Sequence, residues 1–180
     1  MSSEAIQALS TRQVRQRLRQ IYIAYLDLTF HVDCYRELHS RTLKHTQFFD
    51  FAIGVGATTS GGSGLGILAN PQFAWLCGAL TSLSVILSVG KVAYDWPNRI
   101  KKSLELAEFY GVYAQHYRHL IDDINYRQNW NDQFNERHIK MRSEIAKAPT
   151  YPYRHLSEDE MRKIQKAIKK RINPKEWWRP

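Results

Sequence analysis

Charge is absent from the middle of this 180-residue chain: no Asp, Glu, Lys or Arg stands between Asp50 and Lys91. Residues 48–96 hold only Asp50, Lys91 and Asp95, so nearly all of the net charge of +9 lies outside that window. Cysteine is equally scarce. Cys34 and Cys77 are too few for a disulfide framework and sit in no C-x-x-C or zinc spacing. Stapled and zinc-finger classes are thereby excluded, and a reducing compartment is the better fit. The length suits a single domain. A mean hydropathy of -0.49 would suit a soluble protein, but it averages over segments of opposite character.

The uncharged run of forty residues is about twice the roughly 20 needed for one membrane-spanning helix, and Asn70-Pro71 supplies a turn near its middle. This pattern predicts a two-helix transmembrane hairpin within residues 48–96, with spans of about 48–69 and 73–94. The second span keeps a sustained apolar character, through Leu76, Leu80, Leu83, Val85, Ile86, Leu87 and Val89. The first holds six of the nine glycines, interleaved with Thr58, Thr59, Ser60 and Ser63. In water it would read as a loop. In a bilayer, the rows Thr58, Gly62, Gly66 and Gly56, Ser60, Gly64 are faces on which helix backbones approach closely. A phosphate-binding loop is refused by the spacing, which contains no G-x-x-x-x-G-K-[ST], no G-x-G-x-x-G and no basic residue. The apolar segment begins near residue 48, which does not fit a cleaved signal peptide.

Basic residues flank both ends of the expected hairpin: Arg36, Arg41 and Lys44 before it, and Lys91, Arg99, Lys101 and Lys102 after it. Both termini are therefore expected on the cytoplasmic side. A turn centred at Asn70-Pro71 puts Asp50 and Lys91 at equal depth, where an ion pair either neutralises both charges or forms a gate among assembled hairpins.

Before the hairpin, residues 1–47 carry a helical seam of Val14, Leu18, Ile21, Tyr25, Leu28, Val32 and Tyr35, at alternating spacings of four and three. Ser10 or Thr11 is the expected cap, with Met1–Leu9 as a frayed lead. After it, residues 97–148 read as one long helix with the seam Leu106, Tyr110, Tyr113, Tyr117, Leu120 and Ile124, continued less purely by Phe134, Met141 and Ile145. The two should pack antiparallel, while the far part around Trp130 and Phe134 either folds back or meets another subunit. The fold class is thus an all-α membrane protein, a transmembrane hairpin flanked by long antiparallel coiled-coil helices and a short C-terminal amphipathic helix.

That last helix lies in residues 149–180, after the Pro149 and Pro152 break. Ser157-Glu158-Asp159-Glu160 is a capping box, and Met161, Ile164, Ile168 and Ile172 form a stripe opposite Lys163, Lys166, Lys169, Lys170 and Arg171. Trp177 and Trp178 follow. A solvated helix, attraction to anionic lipid, and contact with nucleic acid or an acidic partner all fit this tail.

Residues for chemistry are sparse. His31 with Cys34 and His116 with His119 have helical spacing, but neither pair finds further ligands on its face, so no metal or cofactor is expected. Asp122-Asp123 and Glu105 with Glu108 alternate with basic residues, as on a solvated helix face. No nucleophile, base and orienter belong together, and enzymatic activity is not expected.

The layout, together with Phe51-Ala52-Ile53-Gly54-Val55-Gly56-Ala57 and Gly111-Val112-Tyr113-Ala114-Gln115-His116-Tyr117, closely resembles the SLATT group of bacterial two-transmembrane effectors over roughly residues 10–147. The resemblance implies a role in anti-phage (abortive infection) systems, in which such proteins oligomerise and permeabilise or depolarise the inner membrane once a companion sensor fires. Companions in such systems include nucleotidyltransferases that make cyclic oligonucleotides, retron reverse transcriptases with their DNA, and other nucleic-acid sensors. On that expectation Thr58, Thr59, Ser60 and Ser63 border a path across the membrane, and Gly54, Gly62 and Gly66 allow packing. The rival expectation is a non-conducting anchor or scaffold that positions a partner.

Overall fold

The computed structural model describes residues 3–61, 74–127, 131–149 and 156–172. Side chains are described from residue 13 onward, excluding those of 56–74, 76, 77 and 80. The described chain is all helical: α1 (Ser3–Gly61), α2 (Ala74–Ala93), α3 (Trp96–Arg127), α4 (Asp132–Ile145) and α5 (Glu158–Arg171). It divides into two compact units, one made of Met1–Leu38 with Leu104–Pro180 and the other of His39–Ser103.

In the first unit, the α1 seam from Ile21 through Tyr25, Leu28, Val32 and Tyr35 to Leu38 is buried against Leu106, Tyr110, Tyr117, Leu120 and Ile124 of α3. The two helices run antiparallel, since Tyr35 stacks on Tyr110 at 5.7 Å while Leu28 and Ala24 share a cavity wall with Tyr117. Leu120 and Cys34 have no exposed surface.

Two expectations need correction. The α1 helix begins at Ser3 rather than at a cap on Ser10 or Thr11, because Glu4, Ala5, Gln7, Ala8 and Leu9 are strong helix formers. The single helix over 97–148 is two helices. α4 starts afresh at Asn131, whose extended backbone (φ -118, ψ 145) lets its side chain accept from the Gln133 N–H. It then folds back, burying Phe134, His138 and Met141 in the same core.

The tail helix also joins this core. Ser157 and Glu160 form the expected capping box, Ile168 and Ile172 are each 3% exposed, and Ile164 packs against them. Two polar contacts fix the end of α5 on α1: Tyr22 Oη donates to the Ile172 carbonyl at 3.1 Å, and Arg171 Nη2 donates to Asp33 Oδ2 at 2.9 Å. Such half-exposed pairs contribute little by themselves, so the buried isoleucines supply most of the hold.

In the second unit, α1 beyond His39 pairs with α2, which turns into α3 through Tyr94 and Asp95. Asp95 is the one non-glycine residue with positive φ (49°) among those described, a conformation Asp tolerates better than branched residues. Its carboxylate accepts from Asn98 Nδ2 at 2.8 Å and its carbonyl from the Arg99 N–H at 3.1 Å. Pro97 follows in the first turn, where a missing N–H costs no helical bond. No helix among the described residues is long and apolar enough to cross a membrane. The expected turn Asn70-Pro71 lies outside the described residues.

Candidate functional site

Lys91, in the last turn of α2, donates through Nζ to Asp50 Oδ1 of α1, so these two charges face each other as the only ones bounding the uncharged run. Around them an aromatic cluster forms. Phe49 meets Trp96 edge to face at 4.6 Å, Tyr94 lies 6.4 Å from the same ring, and the Arg99 guanidinium sits 5.4 Å over Tyr94. His39 Nδ1 lies 3.3 Å from the Ile100 carbonyl. Aromatic and basic side chains gathered at one level, next to an apolar stretch, make up the composition of a membrane–water boundary. Sequence reasoning missed this cluster. Trp96 and Phe49 are forty-seven positions apart, and their meeting follows only from the Asp50–Lys91 register.

At and beyond that level the apolar side chains are exposed. On α2, Val85, Ile86, Val89 and Val92 are 58% to 80% exposed, and on α1 Phe48 and Phe51 are 67% and 71% exposed. Gly54 is the one candidate packing residue whose surroundings are described, and a Cβ built there meets no atom within 4 Å. No neighbour among the described residues therefore demands a glycine at 54. Thr58, Thr59 and Ser60 lie on α1 but their side chains are outside the described residues, and Gly62, Ser63 and Gly66 lie outside them altogether.

On the tail, Lys163, Lys166, Lys169 and Lys170 are exposed while Arg171 is engaged by Asp33. Trp177 and Trp178 are outside the described residues.

Neither histidine pair read from spacing gains a third ligand among the described residues. His31 stacks on Tyr110 at 4.8 Å with Nε2 3.8 Å from Asp27, whereas Cys34 is fully buried, its thiol pushed up to about 12 by burial and then by Asp33. Such a thiol is inert as a nucleophile. His116 meets the Tyr113 ring edge to face, and His119 is exposed. No group of three or more metal-ligating side chains occurs among the described residues.

His138 was not legible as a special residue, yet it is 7% exposed and its Nδ1 lies 3.0 Å from Tyr117 Oη. The signal was its place on the stripe Phe134, His138, Met141, Ile145, at spacings of four, three and four. Burial, and secondarily the Arg142 charge, lower its pKa; burial likewise lowers that of His31, against an opposing pull from Asp27. Burial also raises Tyr117 to about 12, opposed by Arg142, so the pair is neutral at physiological pH. Below the ordinary histidine value of 6.5 the unfolded chain then binds more protons than the folded one. Stability is complete above that value and declines as pH falls from it toward the lowered values. Melting temperature measured from about pH 8 to about pH 5 is expected to fall below pH 6.5, and His138→Gln is expected to flatten the decline.

Comparison with protein families, characterised proteins and solved structures yields no match to this chain.

Proposed function

We propose that the chain is a membrane-embedded effector that assembles through its uncharged segment and permeabilises or depolarises the bacterial inner membrane when a companion sensor is triggered. The observation that carries the reading is the outward-facing apolar surface of α2 and the end of α1, bounded at one level by Asp50–Lys91 and the Trp96 aromatic cluster. A water-exposed surface of this kind is far larger than single scattered apolar residues and requires a partner, lipid or protein. The forty uncharged residues are long enough for two crossings; two crossings put both termini on one side, and the basic flanks favour the cytoplasmic one.

A single hairpin encloses no water path, so permeation requires several copies. The open space at Gly54 and the small-residue rows through Thr58, Gly62 and Gly66 suit close contact between copies, with Thr59, Ser60 and Ser63 bordering the path. The resemblance to SLATT effectors supplies the defence setting. The companion would be a nucleotidyltransferase, a retron reverse transcriptase with its DNA, or another nucleic-acid sensor.

Membrane potential, followed with a voltage-sensitive dye in bacteria carrying this chain and its genomic neighbours, tests the reading. Phage challenge is expected to depolarise cells with the natural sequence and to leave cells with Gly62→Leu or Gly66→Leu polarised, at equal protein in the membrane fraction. A second reading, a non-conducting anchor that positions a partner, is favoured by the lysine face that α5 keeps exposed after docking. It is the one supported if protection from phage occurs without any change in potential.

A further inference from the structure

Two adjoining hollows, of about 510 and 490 Å3, lie between α1 and α4 in the first unit and share Gln20, His138, Arg142 and Ala146. Their other walls differ in chemistry. The first is closed by Ile23, Leu28 and Ile145, with the Asp27 carboxylate among them. The second adds the Asn135 amide and the Ser143 hydroxyl and contains no acid. Both volumes fall within the range of small-molecule sites, roughly 300 to 1,000 Å3.

Three polar groups line them. The His138 ring is buried with only one nitrogen occupied, by Tyr117, and its other nitrogen has no partner among the described residues. Arg142 forms no salt bridge among the described residues, although Asp27 lines the same hollow. Asp27 lies 3.8 Å from His31 Nε2, whose pKa burial lowers. Asp27 and Arg142 are both exposed at the rim of the same hollow, and a cation and a carboxylate held apart across one cavity fit a molecule that meets both.

We propose that this groove binds a guanine nucleotide. The planar fork of Arg142 matches a phosphate, with the Asn135 amide able to donate to a remaining oxygen. The apolar walls of the first hollow take the base. The Asp27 carboxylate accepts from the N1–H and the exocyclic amine of guanine, two donors side by side. Adenine presents an acceptor at N1 toward the same carboxylate and is repelled there. The site lies wholly within the unit of Met1–Leu38 and Leu104–Pro180, so it stands or falls independently of the membrane reading.

Titration calorimetry of the full chain in detergent micelles, with GMP, AMP and inorganic phosphate as probes, tests the assignment. GMP is expected to bind about tenfold or more tighter than AMP or phosphate, since each charge-assisted contact contributes about that factor. Arg142→Gln is expected to weaken GMP by a similar factor, and Asp27→Asn to bring GMP down to the level of AMP. Both side chains are exposed, so the ligand-free melting temperature and helical circular dichroism of the variants should match the natural chain. Absence of GMP binding at millimolar concentration overturns the proposal, as does GMP binding unchanged by Arg142→Gln. Equal affinity for GMP and AMP in the natural chain overturns the base assignment.

Discussion

Leu83→Arg with Ile86→Arg is expected to move the protein out of the membrane fraction. Leu83 and Ile86 stand near the middle of α2 and are 51% and 67% exposed. If their surroundings are lipid, each arginine at that depth costs about 2.5–3.5 kcal/mol of insertion free energy, and the pair exceeds what the remaining apolar side chains recover. If their surroundings are water, the same changes are ordinary surface substitutions worth within about 0.5 kcal/mol, and they would raise solubility. The two environments therefore predict opposite results from one experiment. Alkaline carbonate extraction of membranes, followed by immunodetection, reads the outcome. The matching substitution Val92→Arg serves as the depth control. It lies beside Lys91, where a long side chain reaches the headgroups, and is expected to leave the protein membrane-bound. Retention of the double variant in extracted membranes at the natural level would remove α2 as a spanning segment.

The reach of the sequence can be judged from particular elements. The seams of α1 and α3 were legible because apolar side chains recur at the helical period and are buried where that period puts them, from Ile21 to Tyr35 and from Leu106 to Ile124. The break before α4 was written in the same pattern. From Ile124 to Phe134 the ten-residue step turns a helix by about 280° beyond two full turns, so no single straight helix keeps both on one face. A second helix with its own Asn131 cap resolves that mismatch by folding back. The docking of α5 was half legible: the stripe Ile164, Ile168, Ile172 called for a cover, but lipid, a partner and the chain's own core are equally apolar. The sequence could not distinguish among them, because the deciding contacts, Tyr22 with Ile172 and Arg171 with Asp33, join residues about 140 to 150 positions apart. The groove of Asp27, Tyr117, His138 and Arg142 was illegible for the same reason. Its members come from three helices, and none of them stands in a motif. The Asp50–Lys91 pair was legible because the absence of any other charge between them left only one register for the hairpin.

The second large effect is expected from Leu120→Ala. Leu120 has no exposed surface and belongs to the cluster in which α1, α3, α4 and α5 all take part. Truncating a buried leucine removes its transfer free energy and leaves a cavity, a loss of about 2–5 kcal/mol, with the upper part of the range applying where neighbours cannot collapse. Here the neighbours include large rings, Tyr117 among them at 1% exposure and tied to His138, which resist moving into the space. For a unit of this size that loss is a large fraction of the whole stability, about 5–15 kcal/mol. Urea unfolding followed by circular dichroism is expected to show a loss of unfolding free energy of this size for Leu120→Ala, read as a lowered midpoint at unchanged slope. Val112→Ala, on the outer face of the same helix at 49% exposure, should shift it little. Tyr117→Phe separates packing from polarity: it keeps the ring and leaves the buried His138 nitrogen without its partner, which costs about 1–3 kcal/mol. If Leu120→Ala cost less than Tyr117→Phe, the core would be held by its Tyr117–His138 pair and not by the leucine and tyrosine seams that the period of the sequence sets against each other.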